Sequence, residues 1–470
     1  MASMYESEEV KMNKIICGEL TYKRKKYHFT FQDNILTMLP SKLEPYFINL
    51  FYSDDKEVPK TNINGITEKN YYICFIGVKP NPIGSGALRC FVPAYVLNKS
   101  NGLVPVPKAD KIEKIIFKGP AIDNFYHPKK IVTSKNKDRN VTIDVNLDKF
   151  KAEKYELKDE TINIYSGYVM PYSKSINEVL NVSSYFEICF NKPKSVNSIL
   201  KTYLKVQKLF GFFNNRRIIN WDSIILRKTV LVEGEEKPLT VDLFLYIAQD
   251  PKKNIDIESY INSITFEDIK DYLPELYKNI TRKDYNIYYM PLNKSEDSIV
   301  DNDKFLKIAY TFESQMRRSY PNFKSSVNKN FKYSKNFILN SINKELYHLS
   351  TVEGTGKKKK YLNQFKELIE KSDGNLEEKI LYCFKKYDSI LLSKKNTMQS
   401  NYGIKNLTYE TLSKSFIKRR NKIAHGEFTG GFEAIDMISY TLVKISIYCL
   451  ILERCSIPTE QLKKICNKLF

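Results

Sequence analysis

Arg420 and His425 stand five positions apart in the string Arg420-Asn421-Lys422-Ile423-Ala424-His425, with Gly426 directly after. Only 4 His occur in 470 residues, and only 12 of the 75 basic residues are Arg, so composition alone does not scatter such a pair here. The two residue types fit what RNA cleavage through the 2′-hydroxyl needs. A base must take the 2′-OH proton, an acid must protonate the leaving 5′-oxygen, and a cation must stabilise the crowded phosphorane. Histidine, with a reference pKa of ~6.5, serves as base or acid at neutral pH. Arginine offers a planar, permanently charged fork that matches phosphate oxygens. One His cannot act as base and acid in the same step, so water, another residue or a second protomer must supply the other role.

The element that must hold these residues is a helix capped by Thr408 and carrying Leu412, Phe416 and Ile423 at helical spacing. Asn421 and His425 are then an i, i+4 pair on one face, so the Asn amide can orient the imidazole or hold a phosphate oxygen. Arg420 lies about 100° round from Asn421 and reaches across with its long side chain. Gly426 suits the position that ends the helix, leaving His425 at its C-terminal end in an exposed loop mouth. Lys418, Arg419 and Lys422 flank the pair as phosphate-binding candidates. The bland alternative is a solvated basic face with His425 as a capping residue.

Residues 13 to about 250 alternate as strands do, for example Ile15–Leu20, Tyr27–Phe31, Tyr71–Ile76 and Arg89–Val92. Further strands are predicted near 111–118, 140–146, 161–170, 184–190, 221–231 and 239–248. One helix through Ile199, Leu204, Val206 and Leu209 is expected to end at Gly211. Residues 251–300 read as a mixed connector, helical over Phe266–Ile280 and extended over Tyr285–Leu292.

After Asp303 the period becomes 3.6. Phe305, Ala309, Phe312 and Met316 share a face, as do Ile338, Ile342, Leu346 and Leu349, and then Leu376, Ile380, Phe384, Tyr387 and Leu391 behind Asn375 as N-cap. With Phe432–Glu453 and Thr459–Leu469 these predict an all-helical bundle. The expected fold is thus α+β and multidomain: a β-rich N-terminal domain (1–250), a connector (251–300) and an all-α domain (301–470).

The net charge of +21 favours polyanionic partners. Residues 301–470 hold 31 Lys+Arg against 17 Asp+Glu, and residues 1–300 hold 44 against 37, so two-thirds of the excess lies beside Arg420 and His425. Abundant Lys, Asn, Ile and Tyr point to a low-GC bacterial coding bias. The 8 Cys have no C-x-x-C or zinc-like spacing, so neither a metal nor a cofactor is expected. The polar start Met1–Glu9 predicts no signal peptide, hence a cytoplasmic protein with reduced thiols. The apolar run Ala434–Leu452 is interrupted by Asp436 and Lys444, which favours a core helix over a membrane span; it could also form a dimer seam.

Other candidates are weaker. Gly354-Thr355-Gly356 with Lys357–Lys360 lacks the first Gly and the final Ser/Thr of a phosphate loop and reads as a flexible basic loop. Lys23–Lys26 reads as a basic hairpin turn, and His28, His127 and His348 as structural. Glu313 is either a buried partner for Arg420 or a surface charge.

Arg420-Asn421 through His425-Gly426 resembles the R-x4-6-H motif of HEPN domains, which cut RNA without a metal. The layout further resembles the ApeA-like proteins of bacterial anti-phage defence, in which a β-rich N-terminal domain precedes a C-terminal HEPN ribonuclease. Ile15–Leu20 around Gly18 is similar to that family's first strand, and Phe305–Glu313 with Arg317 to its first bundle helix. The resemblance implies a HEPN endoribonuclease that cleaves host or phage RNA, tRNA among the candidates, and halts growth. It implies catalytic Arg420, Asn421 and His425, a homodimer with a composite active site, and a phage-derived trigger acting on the N-terminal domain. The alternative is a HEPN module that binds nucleic acid or neutralises a toxin without catalysis; a third reading is a scaffold whose basic helices bind acidic protein.

Overall fold

The computed structural model describes residues 15–41, 61–83, 87–98, 109–127, 132–137, 140–145, 152–169, 181–231, 238–248, 262–282, 285, 287–292, 294–321, 323, 329–352, 354–370, 376–427 and 430–470. Two compact units emerge, one of Met1–Phe210 with Ile218–Ile261, the other of Gly211–Arg217 with Asn262–Phe470.

The first unit is β-rich. Its strands begin with β1 (Ile16–Tyr22), β2 (Lys25–Gln32), β3 (Ile35–Pro40), β4 (Thr61–Thr67) and β5 (Tyr72–Val78). They continue with β6 (Asn81–Ile83), β7 (Ala87–Phe91), β8 (Ala94–Asn98), β9 (Ile112–Lys118), β10 (Val132–Lys137) and β11 (Asn140–Val145). The last are β12 (Glu153–Glu156), β13 (Glu160–Val169), β14 (Asn181–Lys194), β15 (Ser223–Val230) and β16 (Leu239–Ile247). Fourteen form one antiparallel sheet in the order β12-β13-β14-β9-β15-β16-β8-β5-β4-β1-β2-β3-β7-β6, and β10 pairs with β11 alone.

Period-two alternation explains these strands. In β2, Tyr27, Phe29 and Phe31 are buried while the residues between them are exposed. Phe29 and Phe31 meet Phe75 edge-on in a core shared with Leu36 and Met38. Gly18 is fixed by space: a Cβ there would fall 2.2 Å from the Ile66 carbonyl oxygen, so only glycine lets β1 lie between β2 and β4. The basic run forms the expected hairpin, with Lys23 and Arg24 turning at positive φ between β1 and β2. His28 faces Glu19 across that hairpin at 3.7 Å. A short helix α1 (Pro120–Phe125) accompanies the sheet.

Helix α2 (Val196–Asn214) does not stop at Gly211 as the sequence suggests. Phe212 and Phe213 are fully buried and carry it one turn further, and Gly211–Arg217 packs within the second unit.

That unit is helical and takes in most of the expected connector. Helix α3 (Phe266–Ile269), a 3₁₀ turn (Lys270–Tyr272) and α4 (Leu273–Ile280) fill the segment read as one helix. Pro274 is tolerated because it falls in the first turn of α4. The stretch expected as a strand at Tyr285–Leu292 holds none among its described residues. Its backbone bonds elsewhere: the Tyr288 amide donates to Thr311 Oγ1 (3.0 Å) and the Pro291 carbonyl accepts from Arg217 (2.9 Å).

After α5 (Lys294–Ser298) come α6 (Asn302–Ser319), α7 (Lys329–Ser350), α8 (Gly356–Glu370), α9 (Leu376–Lys386) and α10 (Asp388–Asn401). Then follow α11 (Tyr409–Ala424), α12 (Ala434–Arg454) and α13 (Thr459–Leu469). Asn375, the expected cap of α9, lies outside the described residues. Phe305 on α6 stacks on Phe416 of α11 at 4.6 Å and on Phe432 at 5.5 Å, knitting α6, α11 and the approach to α12 together.

Helix α12 is, among the described residues, the one helix long and apolar enough to cross a membrane, yet it is mostly buried within the protein. Both charges that interrupt it have partners. Asp436 caps its first turn and binds Arg419, and Lys444 forms an ion pair with Asp297. Burial pushes the Lys444 ammonium below its usual pKa, with Asp297 opposing the shift.

The α7–α8 pair departs from the expected bundle. Leu349 is buried, but Ile338, on the same stripe, is 44% exposed, and the two helices pack chiefly on each other. Lys357–Lys360, expected in a flexible loop, instead forms the first turn of α8.

Candidate active site

Local rules place the end of α11 where the sequence suggests. Thr408 caps the start, its hydroxyl accepting from the Thr411 amide at 3.2 Å. At the other end Gly426 adopts φ +72°. Its amide donates to the Ile423 carbonyl (3.1 Å) and the Glu427 amide to the Lys422 carbonyl (2.9 Å). That paired closure is a Schellman motif with His425 as the C-cap. The imidazole is therefore held at the rim, exposed, beside the carbonyl end of the helix.

Successive positions turn by about 100°, which sorts the motif into three directions. Asn421, Lys422 and His425 lie on the exposed face with Lys418 and Lys414. Lys414 extends the row at i−4 from Lys418; that spacing was available in the sequence and was missed.

Arg420 points toward α6. Its guanidinium lies 5.9 Å from the centre of the Tyr310 ring, and Nη1 donates to Asn421 Oδ1 at 3.1 Å. Arg420 Nε is buried without a hydrogen-bond partner among the described residues. The Asn421 amide oxygen is thus engaged by Arg420, and among the described residues the His425 ring has no hydrogen bond of its own. Tyr310 is a component that the sequence did not indicate, because an α6 residue meets α11 only through the tertiary packing.

Arg419 takes a third direction, and its position differs from that expected of a phosphate-binding side chain. It is buried against α12, with Nε and Nη2 on Asp436 Oδ2 at 2.8 and 2.5 Å and Glu433 at 3.7 Å. Ser415 and the Glu433 amide complete the shell of Asp436 at 3.0 Å each. Arg419 fastens α11 to the start of α12 and so fixes the base on which Arg420 and His425 stand. Glu313 pairs with Arg317 on its own helix (3.5 Å) rather than with Arg420, and it is the surface alternative that holds.

Lys414, Lys418 and Lys422 line the exposed face with positive charge, and the exposed Glu427 follows two residues past His425. Among the described residues no cluster of three His, Cys, Asp or Glu side chains could hold a metal. All eight cysteines are free thiols.

The chain thus carries a β-rich unit and a helical unit in which α11 ends on the exposed His425. Residues 35–280, just over half of the chain, match the family of ApeA N-terminal domain 1, and the chain belongs to that family. It is accordingly an ApeA-like protein of anti-phage defence. No curated protein and no solved structure matches the chain.

Proposed function

We propose that this protein is a HEPN-type endoribonuclease that needs no metal, with Arg420, Asn421 and His425 as its reacting groups. The observation that supports it most is the division of labour on α11. One arginine is locked into the scaffold by Asp436 while the next donates to Asn421 beside an exposed histidine. Arg420 receives a phosphate oxygen and stabilises charge as the phosphorane forms. Asn421 holds the guanidinium in place. His425 moves the proton, as base toward the 2′-OH or as acid toward the 5′-oxygen. Lys414, Lys418 and Lys422 guide the RNA backbone toward it.

Because the nucleophile belongs to the RNA, no metal is required to generate one. The second proton transfer falls to His425 of a second protomer, which makes the working enzyme a homodimer with a composite site. The N-terminal unit acts as the sensor, and a phage-derived trigger releases RNA cleavage and growth arrest.

The test is purified protein incubated with total cellular RNA in excess chelator. The expected products carry 2′,3′-cyclic or 3′-phosphate and 5′-hydroxyl ends, and DNA stays intact. His425→Ala and Arg420→Ala are each expected to lower the rate by about 10²–10⁴-fold while the melting temperature holds. Cleavage at the wild-type rate by either folded variant, or dependence on Mg²⁺, would sink the proposal.

A further inference from the structure

The α7–α8 hairpin carries rings that, among the described residues, pack into no core. Tyr333, Phe337, Tyr347, Tyr361 and Phe365 are between 56% and 79% exposed. Tyr333 and Phe337 are an i, i+4 pair on α7, and Tyr361 and Phe365 are another on α8, so each helix presents two rings along one line. The Lys358–Glu345 ion pair at 3.0 Å fixes the antiparallel register. Counting outward from it sets Tyr361 level with Ile342 and Phe365 level with Ile338, beside Phe337. Both ring pairs therefore lie toward the end of the hairpin away from its turn, among the exposed positions of the two helices.

The charge around the rings is one-sided. Residues 329–370 hold nine Lys against four Glu, and Lys344, Lys357, Lys358 and Lys360 are exposed. Interfaces between protein copies deplete Lys, and a second copy would bring the same positive charge against this face. Aromatic rings interleaved with lysines instead suit a strand of nucleic acid. Bases stack on the rings whatever their identity, and phosphates follow the ammonium groups.

We propose that the α7–α8 hairpin is a platform for single-stranded RNA, separate from the end of α11. The idea rests on the reading of this chain as an RNA-acting protein, but it concerns capture, not cleavage. Bases paired in a duplex have their faces covered, so the platform favours unpaired segments over double-stranded RNA.

The experiment titrates the full-length protein with a short fluorescein-labelled 2′-O-methyl oligo(U), which has no free 2′-hydroxyl and reads binding without cleavage. The paired substitutions Tyr361→Ala/Phe365→Ala and Tyr333→Ala/Phe337→Ala are each expected to weaken binding about tenfold or more. Changing Lys357, Lys358 and Lys360 to Gln should flatten the salt dependence. A 2′-O-methyl duplex of the same length should bind more weakly than the single strand. Circular dichroism confirms that the variants fold, since every substituted side chain is on the surface.

Absence of oligo(U) binding by the wild-type chain, or equal binding by the ring variants, overturns the platform. So does a ring variant that binds RNA normally but drops in mass on sedimentation, which would make the hairpin a contact between copies. Because cleavage of total RNA is scored in a separate assay, a silent nuclease with a working platform and an active nuclease without one are told apart.

Discussion

Helix α12 and the α7–α8 hairpin are built from similar material and meet opposite fates. Both repeat apolar residues at helical spacing. In α12 nearly every residue from Ile438 to Leu452 is buried, whereas in the hairpin Leu349 is the one large apolar side chain fully covered among the described residues. Periodicity specifies a helix and the direction of its apolar stripe; whether that stripe is covered depends on what the rest of the chain brings to it. Helix α12 is met by α6, α9, α10, α11 and α13, while α7 and α8 have chiefly one another. The same contrast recurs within one turn of α11, where Arg419 is consumed by the scaffold and Arg420 is not.

The sharpest probe of that division is Arg419. Its removal leaves Asp436 buried without its charge partner, and breaking a buried pair in this way typically costs about 3–5 kcal/mol. Arg419→Ala should therefore lower the unfolding midpoint of the helical unit, and any loss of RNA cleavage should follow the loss of fold. Arg420→Ala should do the reverse, keeping stability and losing rate. Equal melting temperatures for the two variants would erase the distinction.

A matched pair of isoleucines tests the contrast between helices directly. Ile447 on α12 is 2% exposed and Ile338 on α7 is 44% exposed. Truncating a buried Ile to Ala costs about 2–5 kcal/mol through lost burial and the cavity left behind. At a surface site the change stays within about 0.5 kcal/mol. Urea denaturation of Ile447→Ala and Ile338→Ala should separate them by that margin; similar midpoints would mean that the hairpin face is covered in solution.

How much of this was legible in the sequence follows from the range of the interactions. The caps of α11 were readable because Thr408 and Gly426 act on backbone groups within a few residues of themselves. The alternation of β2 was readable because period two needs no partner to show itself. Arg419 was not, since its burial depends on Asp436, 17 positions away and visible only as a charge interrupting an apolar run. The strand expected at Tyr285–Leu292 fails for a similar reason: its described residues pair with no strand, and its backbone bonds instead to Thr311 and Arg217. Burial of the Ile338 stripe was inferred from its spacing alone, which is silent about neighbours. At the site, the motif and the exposure of His425 were readable, whereas Tyr310 beneath Arg420 was not, because α6 and α11 meet only in the folded unit.

The smallest effect concerns pH and again separates what holds from what faces outward. Glu453 near the end of α12 receives Tyr320 from the end of α6 (3.0 Å) and Lys386 and Tyr387 from the end of α9 (2.5 Å each). Burial raises its carboxyl pKa, but the hydrogen bonds from Lys386, Tyr387 and Tyr320 outweigh burial and leave it below the usual value. A lowered folded-state pKa means that the unfolded chain binds the proton more readily. The stabilisation is therefore complete above the unfolded value of about 4.3 and is lost as pH falls through the folded one. Urea midpoints of the helical unit should decline below about pH 4, and Glu453→Gln, which keeps an acceptor but cannot titrate, should make that decline shallower. It should not abolish it. Asp268 shifts in the same direction: burial raises it, and the bonds from Lys468 and Thr265 prevail. A Glu453→Gln profile as steep as wild type would assign the acid sensitivity to Asp268 and free Glu453 of any role in it.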